Sequence, residues 1–149
     1  MAATVTPLQA LAEIRRICLA LPEVEERLSH GAPTFFVRGK KTFVTFVDDH
    51  HGDGRVGIWC AAPPGVQAQL VEQEPQRFFR PPYVGHRGWL GVELDVDPDW
   101  DEVGEICAEA YRLVAPKALV AALDAGRPAP VASPPMRRSP SSPSRKGGA

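Results

Sequence analysis

The chain has 149 residues, 44% of them hydrophobic, and a formal charge of -1, which is enough apolar material for one core that needs neither disulfides nor metal to hold it. No apolar run reaches the roughly 18 residues of a membrane span, and the N-terminus MAATVTPLQ lacks the charged-then-apolar layout of a secretory signal. The near-neutral total conceals a division: Ala125 to Ala149 holds Arg127, Arg137, Arg138, Arg145 and Lys146 without an acid, leaving a core of charge -6 beside a tail of +5.

Thr6-Pro7-Leu8-Gln9 predicts a helix start, with Thr6 as cap, Pro7 at the first helical position and Gln9 closing a capping box. Leu8, Leu11, Ile14, Cys18 and Leu21 then recur at spacings of three and four as one apolar stripe, and Pro22 ends the helix. Thr34 to Arg38 and Lys41 to Val47 read as strands joined at Arg38-Gly39-Lys40, where Gly39 supplies a positive φ. A third strand, Arg55 to Cys60, completes a meander after a polar turn. Pro63-Pro64 opens a short helix reaching about Glu74, with Val66, Leu70 and Val71 as its apolar positions.

Beyond Pro75 the pattern predicts a short strand at Arg77 to Arg80, a rigid Pro81-Pro82 loop, and a strand at Trp89 to Val96. In that strand Leu90, Val92, Leu94 and Val96 face one way and Trp89, Gly91, Glu93 and Asp95 the other. Asp99 and Glu102 form a second capping box for a last helix whose buried face is Val103, Ile106, Cys107, Ala110, Leu113 and Val114. Pro116 breaks it, and Ala118 to Leu123 adds a final turn or two.

From Arg127 onward Pro, Ser, Ala, Arg and Gly leave too little apolar surface to offset the entropy of ordering. The expected organisation is a flexible 1–5, a domain over 6–124 and a disordered basic tail over 125–149. The element order α-β(3)-α-β(2)-α makes this an α+β fold, an antiparallel-rich curved sheet with helices mainly on one face. Cys18, Cys60 and Cys107 are odd in number, widely spaced and free of C-x-x-C pairing, so reduced, buried thiols in a cytoplasmic protein are expected.

Several segments look familiar: Leu19-Ala20-Leu21-Pro22-Glu23-Val24-Glu25-Glu26, His30-Gly31-Ala32-Pro33-Thr34-Phe35, and Arg38-Gly39-Lys40. Further on come Arg77-Phe78-Phe79-Arg80-Pro81-Pro82-Tyr83-Val84-Gly85, Gly88-Trp89, and Ala110-Tyr111-Arg112-Leu113-Val114-Ala115-Pro116-Lys117. In this order they resemble the MmcQ/YjbR family over roughly Leu11 to Leu123. The resemblance implies a small cytoplasmic bacterial protein with an α-β(3)-α-β(2)-α, frataxin-like or secretion-chaperone-like fold, of a kind commonly labelled DNA-binding.

For DNA the candidate residues are Arg38, Lys40 and Lys41 at the first hairpin and Arg77, Arg80, Tyr83, His86 and Arg87 around the proline loop. Asp95 to Glu109 carries seven acids and no base, so a two-sided core is expected, with basic wings straddling phosphates while Phe79 or Tyr83 touches bases or sugars. The structural alternative is an ordinary solvated surface with bases at turn tips.

A second reading uses the strand face opposite the helices. Gly57 and Trp59 share a phase with Gly91 and Trp89, an aromatic patch for a ligand, a peptide or a second subunit if no helix or loop covers it. Asp48, Asp49, His50, His51 and Asp53 are metal-ligating types but crowd one glycine-rich turn, which reads as a polar hairpin. His30 and His86 lack a nucleophile placed by spacing, and there is no P-loop or dinucleotide fingerprint. The expectation is therefore a non-enzymatic protein with no metal and no cofactor, whose partners are DNA or a second copy of the chain and not a membrane.

Overall fold

The computed structural model describes residues 5–49, 54–95 and 97–126. Helix α1 (Pro7–Leu19) begins at the expected capping box: Thr6 Oγ1 accepts from the Gln9 N–H at 3.1 Å, and Gln9 Oε1 accepts from the Thr6 N–H at 2.9 Å. Its buried ridge is Ala10, Ile14 and Cys18. That ridge corrects the expected stripe, because presenting it to the core turns Leu8 outward, 80% exposed, and leaves Leu11 and Leu21 only partly covered.

Six strands follow: β1 (Val24–Ser29), β2 (Ala32–Val37), β3 (Lys41–Asp48), β4 (Val56–Cys60), β5 (Phe78–Phe79) and β6 (Leu90–Glu93). All pair antiparallel in one sheet of order β1-β2-β3-β4-β6-β5. The expected α+β class holds, with one strand more than the expected order. That strand, β1, reads VEERLS, and its charges disguise an alternation that suffices because an edge strand pairs on one side only. His30-Gly31, with φ of 52° and 80°, turns β1 into β2, and Arg38-Gly39, at 54° and 67°, turns β2 into β3. Positive φ at both central residues is the geometry that matches the strands' own twist.

Between β2 and β3 the register passes from Phe35↔Val44 to Phe36↔Thr42, so Phe43 is an extra residue. This bulge lets Phe43 and Val44 both enter the core. Two cross-strand rows then face the helices, Phe35–Val44–Cys60–Leu90 and Phe46–Ile58–Val92–Phe78, every member buried.

Helix α3 (Trp100–Val114) covers them with α1. The Phe43 ring meets the edge of Tyr111 at 5.7 Å, and the Tyr111 hydroxyl donates to the Pro22 carbonyl at 2.7 Å, tying α3 to the α1–β1 connection. Tyr111 thus takes the place expected of Leu113, which is half exposed. The second capping box forms by half. Asp99 Oδ1 accepts from the Asp101 and Glu102 N–H groups, but the Glu102 carboxylate turns to Arg77 instead of back to the cap.

Helix α2 (Val66–Gln73) starts later than expected, at Gly65 rather than Pro63, and buries no residue fully. Helix α4 (Lys117–Gly126) follows Pro116 and runs two residues past Asp124. The Val5 N–H donates to the Asp95 carbonyl at 2.8 Å. Val96, the polar turn at 50–53 and the basic segment 127–149 lie outside the described residues. No described helix is long and apolar enough to cross a membrane.

A Cβ at Gly91 would run into the Phe79 ring, whereas one at Gly104, inside α3, meets nothing. Gly91→Ala is therefore expected to destabilise the fold by about 1–3 kcal/mol. Gly104→Ala is expected to stabilise it by about 1 kcal/mol. Thermal unfolding of the two variants beside the parent checks both signs.

Candidate functional site

The sheet face away from α1 and α3 carries its own cross-strand row, Arg27–Thr34–Thr45–Trp59–Gly91–Phe79, one residue from each strand. Among the described helices, α2 packs against β5 and β6, and the end of α3, at Leu113 and Val114, lines the same hollow as Thr45 and Trp59. Trp59 and Trp89 are each only 7% exposed. The condition set for an exposed aromatic patch, that no helix or loop covers it, is not met: the segment 81–88 passes over the sheet, bringing Tyr83 and Val84 to Trp59 and Arg87 to Trp89. Gln67 of α2 fastens that crossing, its Nε2 donating to the Gly85 carbonyl at 2.8 Å and the Trp89 carbonyl at 2.6 Å. Gly85 itself presses on the Arg80 stem, where a Cβ would come within 2.7 Å of Cγ.

The crossing loop leaves a cavity of about 710 Å³ between itself and the first hairpin, lined by Ser29, His30, Thr34, Thr45, Trp59 and Tyr83. A second hollow of about 470 Å³ shares Thr45, Trp59 and Val84 with it and adds Lys41, Thr42, Arg87 and Trp89. Together they form one trough along β3, with hydroxyls and an imidazole at one end and two cations at the other. Arg87 is positioned there by its own packing, its guanidinium 5.3 Å from the Trp89 ring centre.

Tyr83 stands at the mouth. Its backbone sits at φ +66°, a region that costs a bulky residue about 1 kcal/mol or more. The conformation keeps the ring 66% exposed while its centroid stays 6.3 Å from that of Trp59.

The expected DNA residues divide. Lys41, Arg87 and Tyr83 border the trough, and Lys40 stands exposed at the hairpin tip beside Lys41. Arg38 is at the same tip but pairs with Glu23 at 2.9 Å, a bond that raises its pKa further. Arg77 belongs elsewhere: it donates to Glu74 at 2.7 Å and to Glu102 of α3, fastening β5 to the helix layer. Phe79 is buried beneath Arg55, whose guanidinium lies 4.0 Å from its ring centre, so Tyr83 alone of the two candidate rings is presented to a ligand.

Sequence reasoning passed over Arg27, Ser29, Thr34 and Thr45 as site residues, and weighed His30 only as a catalytic group without a nucleophile. Arg27 lies over Phe36 at 4.0 Å and donates to the Gly39 carbonyl at 3.1 Å, so it adds charge to the same face. The available signal was phase, since Thr34 and Thr45 stand directly opposite each other and Thr45 opposite Trp59, but without β1 the row ends too soon to be noticed.

His86 is exposed and does not line the cavity that His30 lines. Asp49 Oδ1 accepts from the Gly54 N–H at 2.7 Å, closing the turn whose His50, His51 and Asp53 lie outside the described residues. Among the described residues no group of three or more His, Cys, Asp or Glu side chains is placed to hold a metal ion.

The YjbR family model matches residues 19–113. Protein DR2400 of Deinococcus radiodurans, a crystal structure described as a DUF419 domain, superimposes with a TM-score of 0.61 at 22% identity, over 83% of this chain and 92% of that one. That likeness is one of fold. No curated protein matches the chain.

The three thiols are free and buried. Burial pushes the Cys60 thiol well above its ordinary pKa, and burial beside Cys107 does the same to Cys18. A raised folded-state pKa means the native chain keeps protons that the unfolded chain releases, so this contribution is intact below the ordinary thiol pKa and is lost as pH rises above it. Urea midpoints measured from about pH 7 to pH 10 should fall at the alkaline end, and fall less steeply in Cys60→Ala. A thiol reagent should label the native protein only at the rate at which it opens.

Proposed function

The chain belongs to the YjbR family, and from that membership and the placement of its cations we propose that it is a non-enzymatic DNA-binding protein whose contact surface is the trough face of the sheet and the β2–β3 hairpin tip. One observation carries the reading. Of the six described cations that form no ion pair with a described carboxylate, five, Arg27, Lys40, Lys41, Arg80 and Arg87, belong to the trough face, the hairpin tip and the crossing loop with its approach, and the sixth, Lys117, begins α4. The cations committed to ion pairs include Arg15, Arg16 and Arg112 on the helices and Arg77 beside α3.

The other side of the domain opposes this charge. Asp99, Asp101, Glu102, Glu105 and Glu109 fall at the start of α3 and along it, and Asp101 and Glu105 line a hollow of about 450 Å³ between the helices. A polyanion is repelled there and attracted at the hairpin tip, so the charge distribution orients the encounter even though the domain as a whole is acidic. Each phosphate neutralised by one of the five cations releases counterions, which is the source of the affinity. The five bases of 127–149 add attraction without direction. Burial of Trp59 and Trp89 removes the main argument for a flat aromatic docking patch in place of DNA.

The test is the salt dependence of DNA binding by the full chain, by Lys40→Ala/Lys41→Ala/Arg87→Ala, and by a full chain with Arg127, Arg137, Arg138, Arg145 and Lys146 all changed to Gln. The triple variant should lower the slope of log K against log salt by about 2–3, at roughly 0.9 per lost phosphate contact. The tail-neutralised chain should still bind. A triple variant that binds like the parent, or binding that disappears with the tail charges, would overturn the proposal.

A further inference from the structure

The trough has more chemistry than phosphate contact alone requires. Its larger lobe, about 710 Å³, is within the range of pockets that enclose small organic ligands, and its mainly apolar lining, Ala32, Val47, Trp59 and Val84 among it, carries a few polar groups. Ser29, Thr34 and Thr45 supply hydroxyls and His30 an imidazole, all able to donate or accept. Thr34 is 2% exposed, and its Oγ1 donates to the Ala32 carbonyl at 3.0 Å, which fixes the hydroxyl so that its lone pairs are the part left to a ligand.

Over the same lobe stands Tyr83, whose exposed ring is held by a left-handed backbone. The Val84 N–H donates to the Pro82 carbonyl at 2.6 Å within that turn. The smaller lobe, continuous through Thr45, Trp59 and Val84, ends at Lys41 and Arg87.

Resting on the DNA-binding reading, we infer that the trough accepts single-stranded nucleic acid, an unpaired base entering the lobe of Ser29, His30, Thr34 and Thr45 under the Tyr83 ring while the adjoining phosphate meets Lys41 and Arg87. The arrangement matches what an unstacked nucleotide offers: a flat face for an aromatic ring, hydrogen-bonding edges freed from Watson–Crick pairing, and a negative charge at one end. A paired base is stacked on both faces and has its Watson–Crick edge occupied. A duplex meets only the cations around the trough and leaves its hydroxyls unused. The aromatic platform is sequence-tolerant, so a preference for single strands is expected before any preference among bases.

The experiment measures binding of the full chain to a fluorescent single strand of about 12 nucleotides and to the duplex of the same sequence, at one salt concentration. The single strand should bind at least about tenfold more tightly. Tyr83→Ala should remove about tenfold or more from the single strand and leave the duplex unchanged, while Tyr83→Phe keeps the single-strand affinity. Thr45→Val should weaken the single strand only. Lys41→Ala and Arg87→Ala should weaken both ligands and lower the single-strand salt slope by about 0.7 each. Tyr83 lies in an exposed loop, and an unchanged thermal midpoint for Tyr83→Ala shows that the loss is one of contact.

If strand and duplex bind alike, or if Tyr83→Ala affects both equally or neither, the inference is overturned while the broader DNA-binding reading stands. If neither form binds, both fall.

Discussion

One side-chain amide decides the shape of the trough face. Gln67 Nε2 donates to the carbonyls of Gly85 and Trp89, and these two bonds hold the 81–88 crossing over the sheet face opposite the buried rows that α1 and α3 cover. An antiparallel sheet tolerates one solvated face when that face is polar, but here it carries Trp59 and Trp89, about the largest apolar surfaces a sequence can supply. The crossing buries them without filling the space, because a loop of Pro81, Pro82, Gly85 and Gly88 has few side chains long enough to pack down. What remains is a trough with the sheet as its floor and the crossing as its roof. Helix α2, which buries no residue fully, packs Leu70 and Val71 against the core and presents Gln67 to the crossing.

Local features were legible in the sequence wherever a local cause produces them. Thr6 and Gln9 close their box because both partners lie within one turn, and Gly39 marks the hairpin because backbone geometry demands it there. The failures share the opposite property. Strand β1 was missed because Glu25, Glu26 and Arg27 suit an edge strand for reasons of pairing and solvent that only the assembled sheet supplies. The second capping box went half unmade because Glu102 found a stronger partner in Arg77, 25 residues away. Tyr111, which the apolar pattern left out, is buried with its hydroxyl on the Pro22 carbonyl, while Leu113 is half exposed, because the pattern does not register a polar group satisfied by a distant carbonyl.

The site shows the same limit. Cations at hairpins and loops are visible in a sequence, and of those named there Lys41 and Arg87 border the trough. Whether a cation is free to meet a ligand is a matter of its neighbours, and Arg77, conspicuous in the sequence, is occupied by Glu74 and Glu102. Thr34 and Thr45 were invisible because threonine in a strand is ordinarily explained by β propensity alone, and only the register, which sets both in one row with Trp59, assigns them to a cavity.

The register also implies an order of assembly. Strands β1 to β4 each pair with the next in sequence, two of the three joints being tight turns with positive φ, so this meander closes short loops and loses little chain entropy as it forms. Strand β6 must instead come back beside β4 after the whole of α2 and β5, bringing the crossing loop with it. The floor of the trough, Thr34, Thr45 and Trp59, thus belongs to the fast, local part of the fold, and its roof to the slow, distant part. Until β6 pairs with β4 and brings the loop across, the apolar surface that the finished protein keeps under that loop is open to other chains.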